Sequence, residues 1–449
     1  MKALIIGAGE VGSFLSQTLS EDGHDVVVIE QDPILCQEIN ETQNVKTIEG
    51  NGSSAKTLAE ADVANCDFVL AVTHDDRVNM MACSIAKVLG SKTTIARAHD
   101  QTYADTSFIN YQLHFNIDYL ISAEALCAIE LAKLIRNPQR ISVESFGRGD
   151  IEVQQVRVNA SSRHVNMSLK DIRLDRDVRI AYIIRENKLT IPTADTVLEA
   201  EDLVTIVGTS KSLVHVKEEI NPDTARKKVR IVIFSGTETA IALVRLLQSS
   251  HFKIRIIEKD PHLCERLAEQ FPHVTIIHGD ATSLRLLEEE QVEDCDFFVA
   301  CSKDDEDNIM TALQAIHLGA KNTQLIINRP DYEHILNRLK KTVGLNLAIS
   351  PRKAMGQEVL RYMSTKPYHE LATLPDKTGK IIEIRVSGTS PCINKQIREL
   401  PLPTATVIVA LFHKFQTKVP GADDTILAGD RLVIVTRREK IEELVNLFA

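Results

Sequence analysis

The chain has no tryptophan, and aromatic residues make up only 4% of it. A core built from large rings is therefore excluded. Its apolar mass must come from Val, Ile and Leu, which suits sheets of branched residues covered by Leu-rich helices. No run of about 18 apolar residues occurs, so no membrane-spanning helix is expected. The apolar opening Met1–Ile6 breaks at Gly7 and Glu10. That is too early for the core of a signal peptide, and the product is expected to stay in the cytoplasm. The eight cysteines include no C-x-x-C pair and no His/Cys grouping at zinc spacing. Reduced, buried thiols are expected rather than a disulfide framework or a metal module. Positive charge is in the minority, with 52 Lys and Arg against 62 Asp and Glu and a net charge of -10. This disfavours non-specific binding to nucleic acid or anionic lipid. The short basic runs Arg226-Lys227-Lys228 and Arg437-Arg438 read as solvated surface.

What is present is a duplication. A length of 449 residues allows about three domains, and a repeat organises them. Residues 3–12 read ALIIGAGEVG and residues 231–240 read IVIFSGTETA, a shift of 228. The run Val28-Ile29-Glu30-Gln31-Asp32-Pro33 returns as Ile256-Ile257-Glu258-Lys259-Asp260-Pro261 at the same shift. Cys66-Asp67-Phe68 returns as Cys295-Asp296-Phe297, and Asp75-Asp76 with Asn79 as Asp304-Asp305 with Asn308, both at 229. One inserted residue explains the change.

Each copy opens with short runs rich in Val and Ile. In the first copy they are Lys2–Ile6, Asp25–Glu30, Val45–Glu49, Phe68–Val72, Thr93–Ala98 and Asp118–Ile121. Nearly continuous apolar strands of this kind are buried on both faces of a parallel sheet. Helical stretches such as Arg77–Leu89, stopped by Gly90, lie between them. This predicts an α/β fold with a Rossmann-like doubly wound parallel sheet. After a last helix near Ala123–Ile135, the texture changes to short alternating strands such as Glu152–Val158 and Leu203–Val207, a small α+β module. The second copy shows it again, with Asp424–Thr436 echoing Asp195–Gly208. The expected domains are 1–137, 138–224, 225–366 and 367–449, with 221–228 as the linker between halves.

Gly7-Ala8-Gly9-Glu10-Val11-Gly12 is a G-x-G-x-x-G pattern set between a strand and a helix, with an acid, Glu30, closing the next strand. Gly7 permits the tight turn, Gly9 lets backbone approach a diphosphate, and Gly12 brings helix to strand. The free N–H groups of the helix start attract an anion. Glu30 can accept from a ribose hydroxyl and should repel a 2′-phosphate, which favours NAD over NADP. Gly50-Asn51-Gly52 and Thr73-His74-Asp75-Asp76 should line the same crevice. Asp75 faces the ligand or caps the next helix, and Arg97 meets a phosphate or an acid. In the second copy Ser235, Thr237 and Ala240 replace the glycines, with Gly236 displaced by one, Glu238 and Thr239 beside them, and Glu258 retained. That crevice is left with three outcomes: a different nucleotide, weak binding, or a structural turn.

A dehydrogenase would need a substrate domain with a proton donor or acceptor. In the small modules His164 and His215 have no counterpart in the second copy, and no nucleophile and base stand out. A regulatory sensor is expected, and an NAD-dependent oxidoreductase with a duplicated body is the alternative. The residues Gly7-x-Gly9-x-x-Gly12, Glu30, Gly50-Asn51-Gly52, Thr73-x-Asp75-Asp76-x-x-Asn79 and Arg97, with trailing small modules, resemble the RCK/KTN family of cytosolic regulators of potassium channels and transporters. The resemblance covers essentially the whole chain. It implies NADH or NAD⁺ as ligand, with ATP or ADP bound by other members, and no catalysis. It further implies a homotetrameric gating ring beneath a TrkH-like membrane subunit on the inner face of the cytoplasmic membrane. Ligand contacts then fall on Gly7 to Gly12, Glu30, Thr73, His74 and Arg97.

Overall fold

The computed structural model describes residues 1–105, 107–136, 151–186, 188–222, 228–248, 251–363, 367–374, 378–413 and 416–448. Most of the expected linker (223–227) lies outside the described residues, and the three expected domain boundaries fall in or beside segments that do.

Strands β1 (Lys2–Ile6), β2 (Asp25–Glu30), β3 (Lys46–Glu49), β4 (Phe68–Ala71), β5 (Thr93–Arg97) and β6 (Tyr119–Ile121) form one parallel sheet in the order β3-β2-β1-β4-β5-β6. The first small module holds β7 (Ile151–Arg157), β8 (Val178–Arg185), β9 (Lys188–Thr190) and β10 (Leu203–Thr209), paired antiparallel as β7-β10-β8-β9. The second copy repeats the parallel sheet with β11 (Val229–Phe234), β12 (Phe252–Glu258), β13 (Thr275–His278), β14 (Phe297–Ala300), β15 (Thr323–Ile326) and β16 (Leu347–Ile349), ordered β13-β12-β11-β14-β15-β16. It closes with β17 (Tyr368–Thr373), β18 (Gly379–Arg385), β19 (Thr406–His413), β20 (Gln416–Lys418) and β21 (Arg431–Arg437), ordered β17-β18-β21-β19-β20. In both parallel sheets the order reverses beside the first strand, and that switch point opens a crevice at the carboxyl ends.

The duplication extends to local chemistry. Asp32 and Asp260 each accept a backbone N–H two residues on, from Ile34 and His262, with a proline at the first helical position. Asp75 and Asp304 likewise cap the helices Asp76–Val88 and Asp305–Leu318.

The chain divides into two compact units. One contains both parallel sheets. The helix Pro351–Met363 of the second copy inserts Met355, Val359 and Met363 into the core of the first sheet, beside Leu15 and Leu19. Burying each contributes about 1.5–3 kcal/mol, so this is an integral packing contact. Gly356 makes room for Phe14, because a Cβ there would lie 2.6 Å from the ring. Tyr119 and Tyr362 stack with centroids 3.9 Å apart. The other unit contains both antiparallel sheets, which share a core including Val153, Tyr182, Val409 and Val433. Each sheet turns its other face to a helix of its own, Ser210–Ile220 or Ile441–Phe448. Among the described residues no helix is long and apolar enough to cross a membrane.

Candidate functional site

The first crevice is built on the turn after β1. Gly7 N donates to Ile29 O at 2.9 Å, and its φ of +100° belongs to the left-handed region that favours glycine. A Cβ on Gly12 would fall 1.9 Å from Gly7 O, so helix and strand touch there through backbone alone. Gly9 differs from both. Its hypothetical Cβ meets nothing within 4 Å, and it opens the helix Glu10–Glu21 without any side-chain cap. An uncapped helix start facing open space is a place for an anion, since its free N–H groups lack an acceptor.

Glu30 stands beside it at the end of β2. Its Oε2 accepts from Ala8 N at 2.6 Å, and its Oε1 from Gln31 N at 2.7 Å and Asp32 N at 3.0 Å. A carboxylate offers about four acceptor positions, so one remains for a ligand hydroxyl.

The far rim is set by a buried asparagine. Asn79 Oδ1 accepts from Thr73 N at 2.9 Å, while its Nδ2 donates to Thr73 O at 3.0 Å and Arg97 O at 3.1 Å. It ties the ends of β4 and β5 together. Asp75 caps the next helix and binds Arg77, which holds its carboxyl down at about 2. Asp76 accepts from His99 N and Asp100 N, both at 2.8 Å. Arg97 Nη2 pairs with Glu124 Oε1 at 2.9 Å, and His99 Nδ1 meets the same oxygen at 2.8 Å. Burial pushes the Glu124 carboxyl up, but the His99 bond and the Arg97 charge outweigh it and hold the group at about 2. The same bond raises the His99 imidazole.

Most of the expected site residues come together. Gly7, Gly9, Glu10, Val11, Glu30, Asn51, Gly52, Thr73, His74, Asp75, Arg97, Thr237, Glu238 and Thr239 line one cavity of about 880 Å³, within the range of small-ligand pockets. Ala8, Gly12, Gly236 and Glu258 are buried and Ser235 is half-buried, and none of the five lines it. The cavity is shared, with walls from both copies. Glu124, Lys303, Asp305, Arg329 and Arg352 line it although sequence reasoning did not single them out. For Asp305 the repeated Asp-Asp pair was a signal. For Glu124 and Arg352, at matching starts of the last helices, none was available.

The second crevice keeps the turn with other residues. Ser235 takes the left-handed φ of +72°. Its Oγ donates to Glu258 Oε2 at 3.1 Å, Gly236 N to the same oxygen at 2.7 Å, and Lys259 N and Asp260 N to Oε1 at 2.8 and 2.9 Å. All of about four acceptor positions on Glu258 are thus filled from within the chain. Thr237 turns its hydroxyl to Cys301 O at 2.7 Å. Asn308 reproduces the Asn79 clamp on Ser302 and Ile326.

Residues 3–119 and 231–351 match the TrkA-N domain, and 153–221 and 381–449 match the TrkA-C domain. The chain belongs to the TrkA family. The Trk system potassium uptake protein TrkA homolog 2 of Methanosarcina mazei is 30% identical over 456 residues, covering 100% of each chain. The TrkA homolog of Archaeoglobus fulgidus is 31% identical over 448 residues, again covering 100% of each. Among solved structures, the GsuK channel bound to NAD superposes with a TM-score of 0.57 at 17% identity, over 99% of this chain and 78% of that one. That likeness shows the fold alone. The TrkA-N matches take in both crevices.

Proposed function

We propose that this chain is the cytosolic regulatory subunit of a potassium-uptake system and senses NAD-type dinucleotides in its first crevice. Its TrkA relatives carry potassium-uptake names, and a structure of the same fold is described as bound to NAD. The observation that carries the reading is the uncapped helix start at Gly9, open to a cavity, beside a Glu30 carboxylate with an acceptor position to spare. The residues fit a dinucleotide. The helix N–H groups would hold the diphosphate, Glu30 the adenosine ribose, and the wall at Thr73 and Arg97 the second nucleoside. The ligand's part is to bind one state of the protein more tightly than another. In this reading the chain forms a homotetrameric ring under a TrkH-like membrane subunit, on the cytoplasmic side of the membrane, and transforms no substrate.

The test is calorimetric titration with NADH and NAD⁺, together with potassium flux, for wild type and Glu30→Ala. The expected result is a large loss of nucleotide affinity and, with it, of nucleotide control over flux. Lost affinity with control intact would refute the reading, as would steady NADH consumption by the purified chain.

A further inference from the structure

The end of the first crevice near Arg97 is finished by the second copy. The Thr237-Glu238-Thr239 segment, at the start of the helix Glu238–Leu246, lines the same cavity as Arg97 and Glu124. Glu238 is half-buried and within electrostatic reach of Asp100, His99 and Glu124 across the seam, with Arg245 the nearby cation on its own helix. The balance there is acidic. Arg97 Nη2 is engaged with Glu124 at 2.9 Å, and His99 shares that same carboxylate oxygen. Asp76 and Asp100 add two further carboxylates, each engaged with backbone N–H groups. Arg97 Nε is buried without a partner, and of the cavity's other cations, Lys303, Arg329 and Arg352, the two arginines are paired with Glu306 and Glu333. Burial first, and then the charges of Asp100 and Glu124, raise the Glu238 carboxyl above its ordinary range against the lowering pull of His99 and Arg245.

We infer that Glu238 selects the charge of what the first crevice accepts, favouring a dinucleotide and disfavouring a nucleoside triphosphate. This rests on the dinucleotide reading above. A ligand whose diphosphate sits at Gly9 sends its remaining part toward Thr73 and Arg97, and so toward Glu238. A third phosphate brings further negative charge to that wall. The nicotinamide nucleoside of NADH brings none, and the ring of NAD⁺ brings a positive charge. The order of preference set by this one side chain is therefore NAD⁺, then NADH, then ATP.

The experiment titrates the full chain calorimetrically with ATP, NADH and NAD⁺, as wild type, Glu238→Gln and Glu238→Asp, after melting curves show that each variant folds. One unit charge removed at this range changes a charged ligand's affinity about tenfold. For Glu238→Gln the ratio of ATP to NADH dissociation constants should fall about tenfold, and NAD⁺ should lose affinity relative to NADH. Glu238→Asp should restore the wild-type order. The wild-type ATP to NADH ratio should also narrow from low to high salt, because the repulsion is screened; this arm needs no variant. Equal shifts for all three ligands, or ratios that ignore both the substitution and salt, overturn the inference and leave the dinucleotide reading standing. A wild-type chain that binds none of the three overturns both.

Discussion

Two glycines separate what the first crevice needs in order to fold from what it needs in order to bind. Gly9 has φ −63° and ψ −172°, values open to any residue. A methyl group there touches no atom within 4 Å. Gly9→Ala should therefore shift the stability of the free protein by no more than about 1 kcal/mol, because its restriction of the unfolded chain is offset by alanine's poorer fit at a helix N-cap. In a unit of this size that is roughly 1–3 °C in Tm. The same methyl would stand where the diphosphate approaches. Losing one charge-assisted hydrogen bond costs about 1.5–3 kcal/mol, so NADH affinity should fall at least about tenfold. Gly12→Ala acts from the other side of the turn. Its Cβ would lie 1.9 Å from Gly7 O, and backbone must move to admit it. Overpacking of this kind costs about 1–3 kcal/mol, so Tm should fall while affinity also drops. The assays are thermal unfolding without ligand and calorimetric titration with NADH. A Gly9→Ala protein that binds NADH as tightly as wild type would refute the placement of the diphosphate, and a Gly12→Ala protein that melts no lower would refute the contact.

Further measurements bear on the rest of the unit. The His99 imidazole is raised from 6.5 by Glu124, so its stabilising share is complete below about 6.5 and is lost as pH rises through the folded value. The Glu124 share, with the carboxyl lowered from 4.5 to about 2, is present above about 4.5 and is lost as pH falls toward 2. Wild-type Tm should therefore decline above neutral pH with a slope that His99→Gln lacks, and identical slopes would refute the pairing. Asn79→Ala removes four hydrogen bonds, one of them from Thr73 Oγ1, and Asn308→Ala removes three, each from a fully buried position. Each should cost about 2–4 kcal/mol in urea unfolding, and a loss below about 1 kcal/mol would contradict the clamp. All eight cysteines are buried, and burial pushes the Cys83, Cys295 and Cys301 thiols up to about 12. Ellman's reagent should find no fast thiol in the native protein and eight after unfolding.

Much of the fold was legible because its strands are buried on both faces and its turns carry their own chemistry. The six parallel strands expected in the first copy are all present; two keep their ends and four are one residue shorter at one end. Asp118, for example, opens the last strand by sequence pattern, but in the structure it spends its carboxylate on Thr94 N and Thr94 Oγ1 and β6 starts one residue later. Asp75 was open between ligand and cap, and its side chain caps the helix from the cavity wall. Arg97 was open between phosphate and acid, and it pairs with Glu124. The pairing of like with like was not legible. Linear order alternates parallel sheet and small module, yet the two parallel sheets share one compact unit and the two antiparallel sheets the other. Contacts such as Phe14 with Gly356 are separated by hundreds of residues, and no local pattern announces them. The closed state of Glu258 was hidden for the same reason, since only the fold shows Ser235 donating to it.

That pairing bears directly on how a small ligand could control a large assembly. Moving a two-state gate from 1:99 to 99:1 takes about 5.5 kcal/mol. Four equivalent first crevices in the proposed ring would each supply about 1.4 kcal/mol, a tenfold preference for one state. A single charge-assisted hydrogen bond made in one state and broken in the other is worth that much. The helix Glu10–Glu21 begins at the proposed anion cradle and packs its Phe14 against Gly356 of the other copy, with Arg352 over the same ring at 5.6 Å. A contact that tight does not stretch, because packed interiors rearrange between discrete arrangements and do not deform smoothly. Any shift of the cradle must then be carried into the second copy as a rigid step. A ligand that merely filled the cavity, with equal contacts in both states, would bind tightly and regulate nothing.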